Sequence, residues 1–161
     1  MAIHKLQIDD FVMVDYKLVA IHSSLEDSRL AYFLNRTLQI LLEKDPADIG
    51  IKIQEGESCF SRFIFEDEEN EITWNLIQNK NRVVSVQNQG ASLFEDTGLI
   101  LTTNVFLLPE MKTVDYILKI ENTPDDFVPE QLVESLLSIR HIATAYTIDK
   151  NELKSKNNLI F

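Results

Sequence analysis

VDYILKIENTPDDFVPEQLVESLLSIRHIATAYTI, Val114 to Ile148, is the stretch that decides the fold. Its start, Val114 to Ile120, is rich in β-branched and aromatic residues and reads as a strand. PEQLVESLLSIR then predicts a helix over 129–140. Pro129 suits the first helical position, and Glu130 suits the first turn. Leu132, Val133, Leu136 and Ile139 recur at helical spacing, and Arg140 suits the last turn. Ile142 to Ile148 reads as a second strand. The order is strand, helix, strand.

The same order opens the chain. VDYKL, Val14 to Leu18, matches VDYIL, Val114 to Leu118, at four of five positions. It sits in an expected strand, Phe11 to Ile21, which is apolar on both faces towards its end: Val19 and Ile21 on one side, Leu18 and Ala20 on the other. SSLEDSRLAYFLNRTLQILLEK follows and predicts a helix over about 24–43, with Leu30, Leu34, Thr37, Leu38 and Leu41 on its apolar face. Ser23 and Glu26 have capping-box spacing, and Asp45-Pro46 stops the helix. Ile49 to Ile53 is the strand that follows. Two strand–helix–strand units predict a ferredoxin-like sheet with both helices on one face.

Further strands are inserted between the two units. Phe60 to Phe65 and Ile72 to Ile77 flank EDEEN, Glu66 to Asn70, as a hairpin with a charged tip. Trp74 alternates with Ile72 and Leu76 and belongs to the core. Arg82 to Val86 and Leu99 to Leu108 complete the strands, with Asn88 to Gly98 as a surface loop. The expectation is a single α+β domain over 1–161, built on a mainly antiparallel sheet.

Composition narrows the function classes. The chain has 161 residues, 45% hydrophobic and 25% charged, with four Gly and four Pro. That fits one globular core without low-complexity segments. No apolar run is long enough to cross a bilayer, so no membrane partner is expected. The N-terminal residues lack the pattern of a secretory signal. One cysteine, Cys59, fits a reducing compartment, and the expected location is cytoplasmic. The net charge is -11, which repels nucleic-acid backbones and argues against direct nucleic-acid binding. A basic protein partner is compatible with it.

The motif with most chemical interest is Leu108-Pro109-Glu110, Met111-Lys112-Thr113, Val114-Asp115-Tyr116. It resembles the signature of the bacterial IPExxxVDY family, with Leu108 standing where that name has Ile. The resemblance covers the whole chain and includes the C-terminal LKSKNNLIF, Leu153 to Phe161. It implies a bacterial protein of a family whose function is uncharacterised, and it brings no catalytic residues. It also implies a gene neighbourhood with ribonuclease III, fatty-acid synthesis and pyruvate kinase, from which an acidic partner of a basic nucleic-acid enzyme becomes one reading.

Read from its residues, the motif is strand, proline-marked turn, strand. Pro109 ends one strand and biases Leu108 towards extended geometry. Val114, Tyr116, Leu118 and Ile120 share one face of the next strand, with Asp115, Ile117 and Lys119 on the other. Glu110 can serve the turn. The functional alternative is a small-molecule-binding domain or enzyme, with Glu110 and Asp115 as a carboxylate pair and Arg140 beside them at a polar pocket at the sheet end. Pro109, Glu110, Asp115 and Tyr116 are therefore the candidate site residues.

Other chemistry lacks a pattern. His4, His22 and His141 have no zinc spacing, so no metal is expected. No glycine-rich phosphate loop or nucleophile elbow occurs, and no cofactor is expected. Exposed N–H groups beside His22 and Ser23 could receive a phosphate, but Glu26 and Asp27 repel it. EDEEN lacks the glycine and final glutamate of an EF-hand loop. Arg29, Arg36 and Arg140 could line an anion site if they converge. Cys59 reads as a small, partly buried apolar residue. The sequence thus points to a non-catalytic interaction or regulatory protein, self-associating as a homodimer through a sheet edge or the face the helices leave uncovered.

Overall fold

The computed structural model describes residues 14–54, 56–87 and 99–161. Its first strand, β1 (Tyr16–Ser23), runs into helix α1 (Asp27–Leu38). Then come β2 (Glu43–Lys44), β3 (Ile49–Ile53), β4 (Gly56–Phe60), β5 (Arg62–Asp67) and β6 (Ile72–Gln78). The second half holds β7 (Lys80–Gln87), β8 (Leu99–Phe106), β9 (Tyr116–Glu121), α2 (Pro129–Leu137) and β10 (Ile142–Ile148). Two short 3-10 turns, Lys150–Glu152 and Lys156–Leu159, follow.

Six strands form one antiparallel sheet in the order β10-β1-β9-β6-β5-β2. Four consecutive strands from one edge, β10-β1-β9-β6, with α1 and α2 as connections, have the split strand–helix–strand order of a ferredoxin-like sheet, and β6 rather than the expected strand Ile49–Ile53 closes the first unit. The hairpins β3–β4 and β7–β8 are separate two-stranded sheets. The doubled VDY start is therefore a topological equivalence: Tyr16 pairs with Glu121 and Ile21 with Tyr116 on neighbouring strands.

Strand alternation divides the core in two. Val19, Ile21, Trp74, Leu76, Tyr116, Leu118 and Ile120 face the helices and meet Leu30, Leu34, Leu132 and Leu136. Leu18, Ala20, Ile77 and Ile117 point the other way, into a second core. That core is closed by Leu107, Leu108 and Val114 from the motif region and by Leu153 and Leu159 near the C-terminus. Burying each such side chain contributes about 1.5–3 kcal/mol. The face expected to be uncovered is thus covered by the chain itself. This is why β1 is apolar on both sides.

Several boundaries differ from expectation. α1 starts and stops inside 24–43. Gln39 is left-handed at φ 55, and the Asn35 side chain bonds both the N–H and the carbonyl of Leu42, folding the chain back. Past that break Leu42 is buried and Leu41 exposed, and Thr37, still within α1, lies on its exposed side rather than on the apolar face. The Ser23–Glu26 capping box does not form. Ser23 Oγ accepts from Leu25 N–H at 3.2 Å, and Glu26 makes no capping bond. α2 ends at Leu137 rather than Arg140, closed by bonds from Ser138 N–H to Glu134 and Ser135.

The expected strand Phe60 to Phe65 is two strands that part at buried Ser61. Leu107 and Leu108 leave β8 to enter the second core. Val114 precedes β9 and lies in that same core, away from the Tyr116 face. Cys59 is exposed, since its neighbours Ser58 and Phe60 take the inward positions. The charged tip of β5–β6 is as expected, with Asp67 Oδ1 and Oδ2 accepting from the backbone and side chain of Asn70. His4, the start of the strand expected from Phe11, and the loop at 88–98 lie outside the described residues.

Candidate functional site

The motif turn is organised around a residue outside it. Asn79, between β6 and β7, is completely buried. Its backbone N–H donates to Asp115 O at 2.9 Å, and its carbonyl accepts from Leu107 N–H at 2.8 Å. Its side-chain NH₂ donates to Met111 O at 2.9 Å and Val114 O at 2.8 Å. Its side-chain oxygen accepts from Leu108 N–H at 2.9 Å. Five bonds satisfy the buried amide and fix the path from Leu107 to Asp115. Within the turn, Met111 N–H bonds Leu108 O, and Val114 N–H bonds Met111 O.

Each candidate side chain then reaches a different segment. Pro109 is exposed at the turn and supplies geometry. Glu110 Oε1 accepts from Ser155 N–H at 2.8 Å, between the two C-terminal 3-10 turns. Burial pushes the Glu110 carboxyl up, but the backbone N–H groups of Ser155, Glu110 itself and Lys154, with the Ser155 hydroxyl, outweigh it. The carboxyl is held below its ordinary value. Asp115 Oδ2 accepts from Ser23 N–H at 3.0 Å, where the β1–β10 register shifts. Tyr116 donates its hydroxyl to Leu25 O at 2.6 Å, beneath the start of α1. Burial, then the charges of Asp27, Asp115 and Glu26, push this phenol up to about 12.

The C-terminal segment has further anchors. Asn158 Nδ2 donates to Leu107 O at 2.8 Å. Lys119, only 4% exposed, donates to Leu159 O at 2.8 Å and forms an ion pair with Glu121. Its ammonium lies 4.6 Å from the ring centre of Phe161 and 5.0 Å from that of Tyr16. The Arg62 guanidinium lies 4.8 Å from the same Phe161 ring and pairs with Asp45.

Glu110 and Asp115 therefore do not form a carboxylate pair. One faces Ser155 and the other Ser23, and Arg140 makes no ion pair with either among the described residues. Two open depressions, beside the acidic hairpin tip and beside the start of α2, include none of the motif residues. Among the described residues no group of three potential metal ligands gathers. Arg36 stacks on Tyr32 of its own helix, and Arg29 is exposed, so the three arginines build no shared site. His22 approaches the Tyr146 hydroxyl at 3.3 Å.

Sequence reasoning missed Asn79, Lys119 as an anchor, Ser155 and Asn158. Only Lys119 carried a signal: a lone cation inside the apolar run YILKI must find a partner when the strand is buried. No family model, curated protein or solved structure matches this chain. No helix among the described residues is long and apolar enough to cross a membrane.

Proposed function

We propose that this protein is a non-catalytic interaction protein of the cytoplasm, with the IPExxxVDY-type motif acting as its structural keystone. One observation carries the reading: Glu110, Asp115 and Tyr116 each bind a backbone group of a different segment. Groups committed to fixed backbone partners are poorly available as acid, base or ligand. The lone cysteine and the acidic balance are consistent with a reducing compartment and a protein partner. The test uses Glu110→Gln and Asp115→Asn, which keep an acceptor oxygen and remove charge. Both variants should fold and retain partner capture from the native cytoplasm. A metabolite that raises the melting temperature of the wild type, and fails to do so with either variant, would overturn the reading.

A second reading, an acidic partner of a basic nucleic-acid enzyme, is favoured by the β5–β6 tip. Glu66, Glu68, Glu69 and Glu71 are all exposed there. Capture of such an enzyme should then weaken steeply with salt. Replacing those glutamates by glutamine without loss of capture would remove this alternative.

A further inference from the structure

The two edges of the six-stranded sheet are built differently. One edge is β2, two exposed residues, Glu43 and Lys44. Short length and charge are the usual protection of an edge against pairing. The other edge is β10, IATAYTI, seven residues without charge or proline. Its outer side has no strand partner among the described residues. Ser23 pairs with Ile142 and His22 with Thr144, so Ala143 is an extra, bulged residue. The regular edge is therefore Thr144 to Ile148, where Thr144, Tyr146 and Thr147 are exposed. Threonine, tyrosine and isoleucine favour strand pairing.

We propose that β10 pairs antiparallel with β10 of a second copy of this chain, joining two six-stranded sheets across a two-fold axis. The inference rests on the interaction reading above and names its partner. Antiparallel pairing of one strand with itself is symmetric, so a single surface supplies both halves of the interface. The flanks of β10 also complement each other. Arg140 precedes the strand, and Asp149 and Glu152 follow it, all exposed. Self-pairing brings Arg140 of each copy towards Asp149 and Glu152 of the other. Lys150, which would oppose this, is held by Asp15 of its own chain at 2.5 Å. Five regular residues make a small interface, so the dimer is weak and concentration-dependent.

Sedimentation equilibrium of the full chain, from micromolar to near-millimolar concentration, should show monomer and dimer in exchange. Hydrogen exchange should show amides of Thr144 to Ile148 gaining protection as concentration rises. Thr144→Lys combined with Thr147→Lys adds one positive charge to each face of β10, so self-pairing gathers two like charges on each face of the joined sheet. It should weaken dimerisation about tenfold or more while leaving the circular dichroism melt close to wild type. A single exposed Thr144→Lys serves if the double variant fails to fold. A chain that stays monomeric, or a dimer indifferent to these lysines, would overturn self-pairing. So would loss, in the lysine variant, of a different chain bound at β10. None of these results depends on Glu110 or Asp115, whose amide variants test the interaction reading separately.

Discussion

Glu110 holds Ser155: its carboxylate accepts the backbone N–H of a residue that lies beyond β10 in the chain. The motif thereby fastens the segment that closes the second core, whose inward residues are Leu153 and Leu159.

Glu110→Ala should loosen that segment at a cost of about 1 kcal/mol, small because the carboxylate is exposed. Limited proteolysis within 150–159 should be faster than in the wild type. The pH dependence has a defined sign. The folded carboxyl lies below its ordinary 4.5, so its contribution is complete above that value. It is lost as pH falls through the lower folded value. Protection of the amides around Ser155, taken relative to the intrinsic exchange rate at each pH, should therefore fall on acidification in the wild type and show little further change in Glu110→Ala.

Asn79→Ala should be the most damaging single change in the motif region. It strands the buried Leu108 N–H and Val114 carbonyl away from water, while the Met111 carbonyl keeps the Val114 N–H. Unsatisfied buried groups cost about 1–3 kcal/mol each, so a total of about 3 kcal/mol or more is expected. Urea unfolding measures it. A loss under about 1 kcal/mol would show that the turn keeps its path without the amide.

Tyr116→Phe removes one bond, to Leu25 O, and should cost about 1 kcal/mol near neutral pH. In the wild type the folded phenol sits at about 12, above the ordinary 10.0. Its contribution is complete below 10.0 and is lost as pH rises towards 12. The variant should lack that part of the alkaline decline, measured by chemical unfolding at stepped pH.

Lys119→Ala should destabilise by about 3 kcal/mol, because Glu121 and the Leu159 carbonyl lose a buried cation. Lys119→Met with Glu121→Leu should recover most of this, since apolar replacements of a buried pair are often close to neutral. A double variant no better than Lys119→Ala would point to the Phe161 and Tyr16 contacts as the larger contribution.

The repeated VDY start, the Pro129 helix and the Trp74 alternation were all legible. Each is a local pattern whose period survives folding, and together they yield the α+β sheet and its two helices. The ends of α1 were not legible: the break depends on Asn35 reaching forward to Leu42, a side-chain contact that apolar spacing does not encode. Val114 departs from the strand alternation because β9 begins two residues later, at Tyr116, and the turn before it carries Val114 into the second core. The motif turn itself could be read from Pro109. Its partners could not, because Ser23, Asn79 and Ser155 are distant in sequence and carry ordinary polar side chains. A buried asparagine and a surface one look the same until the chain is folded.

The position of β1 bears on how the chain acquires its structure. Leu18, Val19, Ala20 and Ile21 are buried between β9 and β10, and both of those strands are encoded beyond residue 115. While the polypeptide is being synthesised, β1 has no local hairpin to shelter it, and α1 can cover only one of its sides. Loop closure over such distances is slow, and an apolar strand waiting for partners is open to misassociation. The first half of this protein therefore cannot fold ahead of the second, and its time of greatest exposure is before β9 emerges.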